Sequence, residues 1–139
     1  MKIIFLDIDG VLTTFDHEDM DKLCPKNVGY LNEIIKNTGA KCILSSSKRV
    51  LGINNVLERF LLPAGFNGEI IGATGETRPL RYLEIYDWLF DNKFQGRFVI
   101  IDDESCENAF SNCWVKTSMF NGGLKECHMK RAINILNGG

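Results

Sequence analysis

The first dozen residues, MKIIFLDIDGVL, confine the fold more tightly than any other stretch. Lys2–Leu6 is a short apolar run with β-branched members and a charge only at its start, as in a strand buried on both faces of a parallel sheet. Asp7 and Asp9 follow at once, then Gly10, which accepts backbone angles that other residues resist. Like charges a few ångströms apart raise each other's pKa unless a cation sits between them, so acids at the end of a buried strand suggest a metal and chemistry. In open α/β sheets that edge is where ligands bind.

The pattern then repeats. Thr13–Leu23 is a polar, acid-rich loop whose Asp16, Glu18, Asp19 and Asp21 read as a solvated cluster rather than as metal ligands. Pro25 opens a helix to about Thr38, with Val28, Leu31, Ile34 and Ile35 as its apolar stripe and Gly39 at its end. Lys41–Leu44 is a second strand, closed by Ser45-Ser46-Ser47-Lys48-Arg49. Val50–Leu62 has helical spacing stopped by Pro63, Glu69–Ile71 is a short strand, and Gly75–Pro79 is a loop. A strongly amphipathic helix runs from Leu80 to about Asn92. Arg97–Ile101 is a buried strand ending in Asp102-Asp103-Glu104. Glu107–Ser111 reads as a helical turn, Cys113–Thr117 as a strand, Asn121-Gly122-Gly123 as a turn, and Leu124 to about Asn137 as the closing helix. Alternating strands and helices predict a three-layer α/β/α, Rossmann-like fold with a mostly parallel sheet, and 139 residues fit one domain, 1–139.

Composition excludes several classes. With 45% hydrophobic and 24% charged residues the chain is neither disordered nor a membrane protein, and no apolar run approaches the roughly 18 residues of a spanning helix. A net charge of −2 argues against a broad nucleic-acid surface, though not against a local basic patch. The start has no basic segment followed by an apolar one and a cleavage site, so a cytoplasmic location is expected. Cys24, Cys42, Cys106, Cys113 and Cys127 are odd in number and form no Cys-x-x-Cys pair, which suits reduced thiols, with Cys42 in the core. His17 and His128 stand at no useful metal spacing and read as a loop and a helix-surface residue.

Three strand ends thus present Asp7/Asp9, Ser45 and Asp102/Asp103, with an arginine between the last two. This ordered set resembles the haloacid dehalogenase-like (HAD) superfamily of phosphotransferases. Its hhhhDxDG motif is matched by Ile3-Ile4-Phe5-Leu6-Asp7-Ile8-Asp9-Gly10, its strand-ending Ser or Thr by Ile43-Leu44-Ser45, and its strand-ending Asp-Asp by Val99-Ile100-Ile101-Asp102-Asp103. LSSSKR, the stretch Arg81-Tyr82-Leu83-Glu84-Ile85 with Trp88-Leu89, and Val115-Lys116-Thr117 through Gly123-Leu124 look like a small capless branch, found alone and as modules of nucleic-acid repair proteins.

The resemblance implies a Mg2+-dependent phosphomonoester hydrolase. Asp7 would attack phosphorus to form an aspartyl phosphate, and Asp9 would protonate the departing oxygen and later take a proton from water. Asp7, Asp102, Asp103 and the main-chain carbonyl of Asp9 are the implied Mg2+ set, with Asp103 orienting a water and Glu107 as a less favoured helper. Ser45 would donate a hydrogen bond to a transferring oxygen. Arg81 is the first choice for neutralising phosphoryl charge, Arg78 the alternative; Ser46, Lys48 and Arg49 are expected at the substrate edge. Many relatives have Thr where this chain has Val11, a departure that weakens the phosphatase reading only slightly.

No segment is long enough for a cap domain. An open site suits substrates that bring their own bulk, and the branch points to nucleotide or nucleic-acid end phosphates as the phosphorylated partner. A receiver domain would carry adjacent acids near its first strand and an acid where Ser45 stands; a two-metal nuclease would need ligands from Asp16–Asp21; a dehalogenase would not need Asp102 and Asp103. A non-catalytic or regulatory module that binds phosphate and Mg2+ is the remaining alternative. Apolar helix faces leave the oligomeric state open.

Overall fold

The computed structural model describes residues 1–14, 22–106 and 108–139; the Asp16–Asp21 acids, His17 and Glu107 lie outside the described residues. Five strands form one all-parallel sheet: β1 (Lys2–Leu6), β2 (Lys41–Leu44), β3 (Ile70–Ala73), β4 (Arg97–Asp102) and β5 (Trp114–Lys116), in the order β3-β2-β1-β4-β5. The chain steps outward from β1 through α1 (Pro25–Thr38) to β2, and through α2 (Ile53–Val56) to β3. It then reverses through α3 (Arg81–Asp91) to β4 on the other side of β1, and closes after β5 with α4 (Glu126–Leu136). Right-handed crossovers in opposite directions put helices on opposite faces, and the reversal leaves a crevice at the carboxyl ends of β1 and β4.

Alternation along each strand divides the core. Ile4, Leu6, Cys42, Leu44, Val99, Ile101 and Val115 pack with Val28, Leu31 and Ile34 of α1 and Ala132 and Leu136 of α4. Burial there pushes the Cys42 thiol up to about 12. Ile3, Phe5, Ile43, Ile100 and Trp114 face the other way, against Ile85 of α3. Among the described residues α3 is the one helix on this face, and aromatic rings complete it: Phe5 meets Trp88 edge-on at 5.5 Å and Phe98 at 5.8 Å, and Phe98 meets Phe110 at 5.7 Å.

The expected helix over Val50–Leu62 is broken into pieces. A 3-10 turn over Ser47–Leu51 precedes Gly52, α2 follows, and π-type turns over Leu57–Leu61 lead into a 3-10 turn, Leu62–Ala64, that contains Pro63 rather than stopping before it. Proline offers no N–H to the carbonyl four residues back and crowds it, so the turns ahead of it widen. Other boundaries move by a residue or two: β3 begins at Ile70, and a 3-10 turn over Ser111–Cys113 takes the start of the expected fifth strand. The closing helix begins at Glu126, because the Leu124 N–H is held by the Val11 carbonyl at 2.9 Å. No cap domain intervenes between β2 and β3, whose connection is these short turns.

The loop after β1 is fastened from beneath by Asn27, a buried residue of α1. Its Nδ2 donates to the carbonyls of Val11 at 2.9 Å and Gly122 at 3.1 Å, joining the β1 loop to the turn before α4. Asn27→Ala leaves the Gly122 carbonyl without this donor and the Val11 carbonyl with the Leu124 N–H alone, and is expected to lower unfolding free energy by about 1–3 kcal/mol, read as a shift of the urea midpoint at unchanged slope. An unshifted midpoint would mean that the fastening contributes nothing.

Candidate active site

Sheet register, rather than loop conformation, assembles the site. Leu6 pairs with Leu44 on one side and Ile101 on the other, and Leu44 pairs with Ala73. The next residue of each strand therefore forms a row along the sheet edge: Thr74, Ser45, Asp7, Asp102. Main-chain bonds carry the ladder to this row, from Ser45 N to Leu6 O at 3.0 Å, Asp7 N to Ile101 O at 3.1 Å and Thr74 N to Leu44 O at 3.0 Å. Counting two residues back reaches Phe5, Ile43 and Ile100, so the row shares the α3 face of the sheet. Arg81, first residue of α3, overhangs it.

Arg81 Nη1 lies 2.6 Å from Asp102 Oδ2 and 3.4 Å from Asp7 Oδ1, and its Nη2 lies 3.4 Å from Glu104 Oε1. Burial opposes the guanidinium charge, but Asp102, Asp7 and Glu104 together hold it on more firmly than usual. The acids feel the converse. Burial and then the Asp102 charge raise Asp7 well above the ordinary carboxylate range against the pull of Arg81, and a hydrogen bond to Asp103 adds to the rise. Burial likewise raises Asp102 from 3.8 to about 6, although Arg81 and the Glu104 N–H, donating at 2.9 Å, act to lower it. One guanidinium does not fully offset this buried charge.

Carboxylate oxygens of Asp7, Asp102 and Asp103 all lie within 4.8 Å of one another, the one such acid group among the described residues. An octahedral Mg2+ holds oxygens at about 2.1 Å, hence about 3 Å apart when adjacent and about 4 Å when opposed. The oxygen-only donor set, gathered within 4.8 Å, is of the kind that a hard divalent cation takes. Gly10 makes the packing possible. It sits at φ 83°, and a Cβ there would run into the Asp103 carboxylate. Its carbonyl accepts from Thr117 Oγ1 at 2.7 Å, which ties the turn to the end of β5.

Asp9 points elsewhere. Its Oδ1 accepts from Thr13 Oγ1 at 3.2 Å and lies 3.7 Å from Lys48 Nζ, which also sits 4.7 Å from the centre of the Phe60 ring. Lys48 thus stands beside Asp9. Ser46 is buried and its hydroxyl accepts from the Lys48 N–H at 3.1 Å, capping the turn. Arg49 departs from the substrate edge and turns inward, toward Glu84 and the carbonyls of Ser45 and Ser46. Arg78 pairs with Asp87 at 2.9 Å on the half-exposed flank of α3, leaving Arg81 as the arginine against the acids. His128 Nδ1 accepts from the Lys125 N–H at 3.0 Å, closing the first turn of α4.

Two buried hydroxyls of the row, Ser45 Oγ and Thr74 Oγ1, have no hydrogen-bond partner among the described residues. Unpaired buried donors are costly and concentrate where a ligand supplies the acceptor. The motifs pointed to Ser45. Thr74 escaped notice because a lone Thr after a weak, Gly-flanked strand carries no signal until register sets it beside Ser45.

The raised carboxyls fix a sign for pH dependence. A carboxyl with a higher pKa in the folded than in the unfolded state adds stability that is full below the unfolded pKa and lost as pH rises through the folded one. For Asp102 that window runs from 3.8 to about 6. With EDTA present, Asp102→Asn should therefore gain several degrees of Tm relative to wild type between about pH 4 and about pH 7, and Mg2+ should restore the wild type at the upper end. A difference independent of pH would mean that Asp102 carries no buried-charge penalty.

A family model described as the HAD domain in Swiss Army Knife RNA repair proteins matches residues 3–129, a span that contains the whole acid row, Arg81, β2 to β5 and β1 from its second residue, Ile3. No curated protein and no solved structure matches the chain. With the motifs on the expected strand ends and the family model covering most of its length, the chain belongs to the HAD domain family of Swiss Army Knife RNA repair proteins.

Proposed function

We propose that the protein is a Mg2+-dependent phosphomonoester hydrolase that works through an aspartyl phosphate on Asp7. The observation that carries this reading is the row itself, with Asp7 between Ser45 and Asp102 and Arg81 Nη1 3.4 Å from its carboxylate. A phosphate monoester reaches an acidic site as a dianion, so repulsion must be cancelled before attack. Asp7, Asp102 and Asp103, with the Asp9 main-chain carbonyl, would hold Mg2+, which when bound offsets that charge and keeps Asp7 ionised.

In this reading the remaining steps belong to side chains. Asp7 attacks phosphorus, and the ester oxygen leaves with a proton from Asp9. Water then attacks the phosphorus of the aspartyl phosphate, giving its proton to Asp9, and inorganic phosphate and free Asp7 result. The Ser45 hydroxyl donates to a non-bridging oxygen, and Arg81, already against Asp7, neutralises charge spreading over the phosphoryl group. Lys48 holds Asp9 in place and meets the substrate beyond the phosphate. The uncapped sheet edge and the family's place in RNA repair proteins support a nucleotide or nucleic-acid end phosphate as substrate.

Phosphate release from p-nitrophenyl phosphate, nucleoside monophosphates and oligonucleotides with 3′- or 5′-phosphates tests the reading. Turnover should require Mg2+ and stop with EDTA. Asp7→Asn should lower kcat on the order of 10³-fold or more, and Asp9→Asn roughly 10²–10⁴-fold, with the fold intact by circular dichroism. Full activity in Asp7→Asn would contradict the mechanism. Mg2+ binding with no turnover of any substrate would favour a regulatory module instead.

A further inference from the structure

Arg49 and Glu84 form a buried ion pair one layer behind the acids. Arg49 Nη2 lies 2.7 Å from Glu84 Oε2, and the two side chains are only 9% and 5% exposed. Arg49 Nη1 donates to the carbonyl of Ser45 at 3.0 Å and of Ser46 at 2.8 Å. Glu84 stands one turn along α3 from Arg81, close enough for the Arg81 charge to act on its carboxyl. One arginine therefore grips the main chain that carries Ser45, and its partner carboxylate sits on the helix that carries Arg81.

Such a pair is a poor source of stability. Removing two charges from water costs several kcal/mol per ion, and apolar residues of similar volume often do as well or better. What a hydrogen-bonded buried pair supplies instead is geometry. The planar guanidinium reaches two carbonyls and a carboxylate at once, which a lysine ammonium on a flexible stem cannot reproduce.

We propose that Arg49 and Glu84 are positioning residues for phosphoryl transfer, a buried strut that sets the distance between the Ser45 hydroxyl and the Arg81 guanidinium. The inference rests on the phosphotransfer reading above, in which these two groups grip the same phosphoryl group. Neither Arg49 nor Glu84 touches the reacting atoms. The Ser45 N–H is held by the Leu6 carbonyl at 3.0 Å and its own carbonyl by Arg49 at 3.0 Å, so the main chain is pinned on both sides of its Cα and the Cα–Cβ direction with it. A misplacement of about 1 Å at a reacting group costs roughly 10²-fold in rate.

The test follows turnover of p-nitrophenyl phosphate with Mg2+, together with the affinity for orthovanadate, whose geometry mimics phosphoryl transfer. Glu84→Gln keeps shape but loses charge; it should lower kcat about 10–100-fold, leave KM within about threefold, and weaken vanadate in step with kcat. In a Ser45→Ala background the same change should cost less than about threefold, because the group it positions is gone. Arg49→Lys should behave like Glu84→Gln. The double replacement Arg49→Met with Glu84→Leu should restore Tm without restoring kcat. A strut that served only stability would instead regain activity along with Tm, and that result would overturn the proposal, as would equal losses in kcat with and without Ser45. If wild type neither turns over substrate nor binds vanadate, the phosphotransfer reading fails and takes the inference with it. If wild type is active and Glu84→Gln matches it, the inference alone fails.

Discussion

Carboxylates held together at the end of a buried sheet are the constraint on which the rest of this structure depends. Asp7 and Asp102 are neighbours because β1 and β4 are neighbours, and both are buried because the strands beneath them are. Water does not screen the two charges there, and their raised pKa values register the cost. Arg81 answers part of it, so the helix that bears Arg81 must start at the sheet edge on the face to which the acids point. The reversal of chain direction between β3 and β4 places α3 there.

Around that centre, the supports are polar bonds to main chain. Thr117 holds the Gly10 carbonyl, Asn27 the Val11 carbonyl, and Arg49 the carbonyls of Ser45 and Ser46. The turn after β1 is thus held by side chains from α1 and the end of β5, and the turn after β2 by its own Arg49, which is anchored in turn to Glu84 of α3. Backbone groups at strand ends have lost their ladder partners, and buried ones must be paired by something.

Strand positions were legible in the sequence because apolar runs ending abruptly in polar residues have few alternative readings; β1, β2 and α1 fall within the residues that the pattern marked. The Val50–Leu62 segment misled because helical spacing persists through turns that Gly52 and Pro63 distort. At the site, Asp7, Ser45, Asp102 and Asp103 were legible as motifs, and register brings them together. Arg81 was the first choice over Arg78 by its place in the Arg-x-x-Glu-Ile stretch, and geometry separates the two, since both flank the start of α3 and Arg81 is the one against the acids. Arg49 was expected at the substrate edge, within Ser-Ser-Ser-Lys-Arg, a polar run that hides which member turns inward. Its partner Glu84 lies 35 positions away, a pairing that no local pattern encodes.

Occupancy of Asp7 by a phosphoryl group is the claim on which the functional account stands. Crystals grown with Mg2+ and beryllofluoride, which forms a stable mimic of an acyl phosphate, would test it directly. The account predicts beryllium bonded to an Asp7 carboxylate oxygen, Mg2+ held by Asp102, and contacts from Ser45 and Arg81 to the fluorines. Beryllofluoride bound at another residue, or Mg2+ bound away from Asp102 with Asp7 bare, would contradict it.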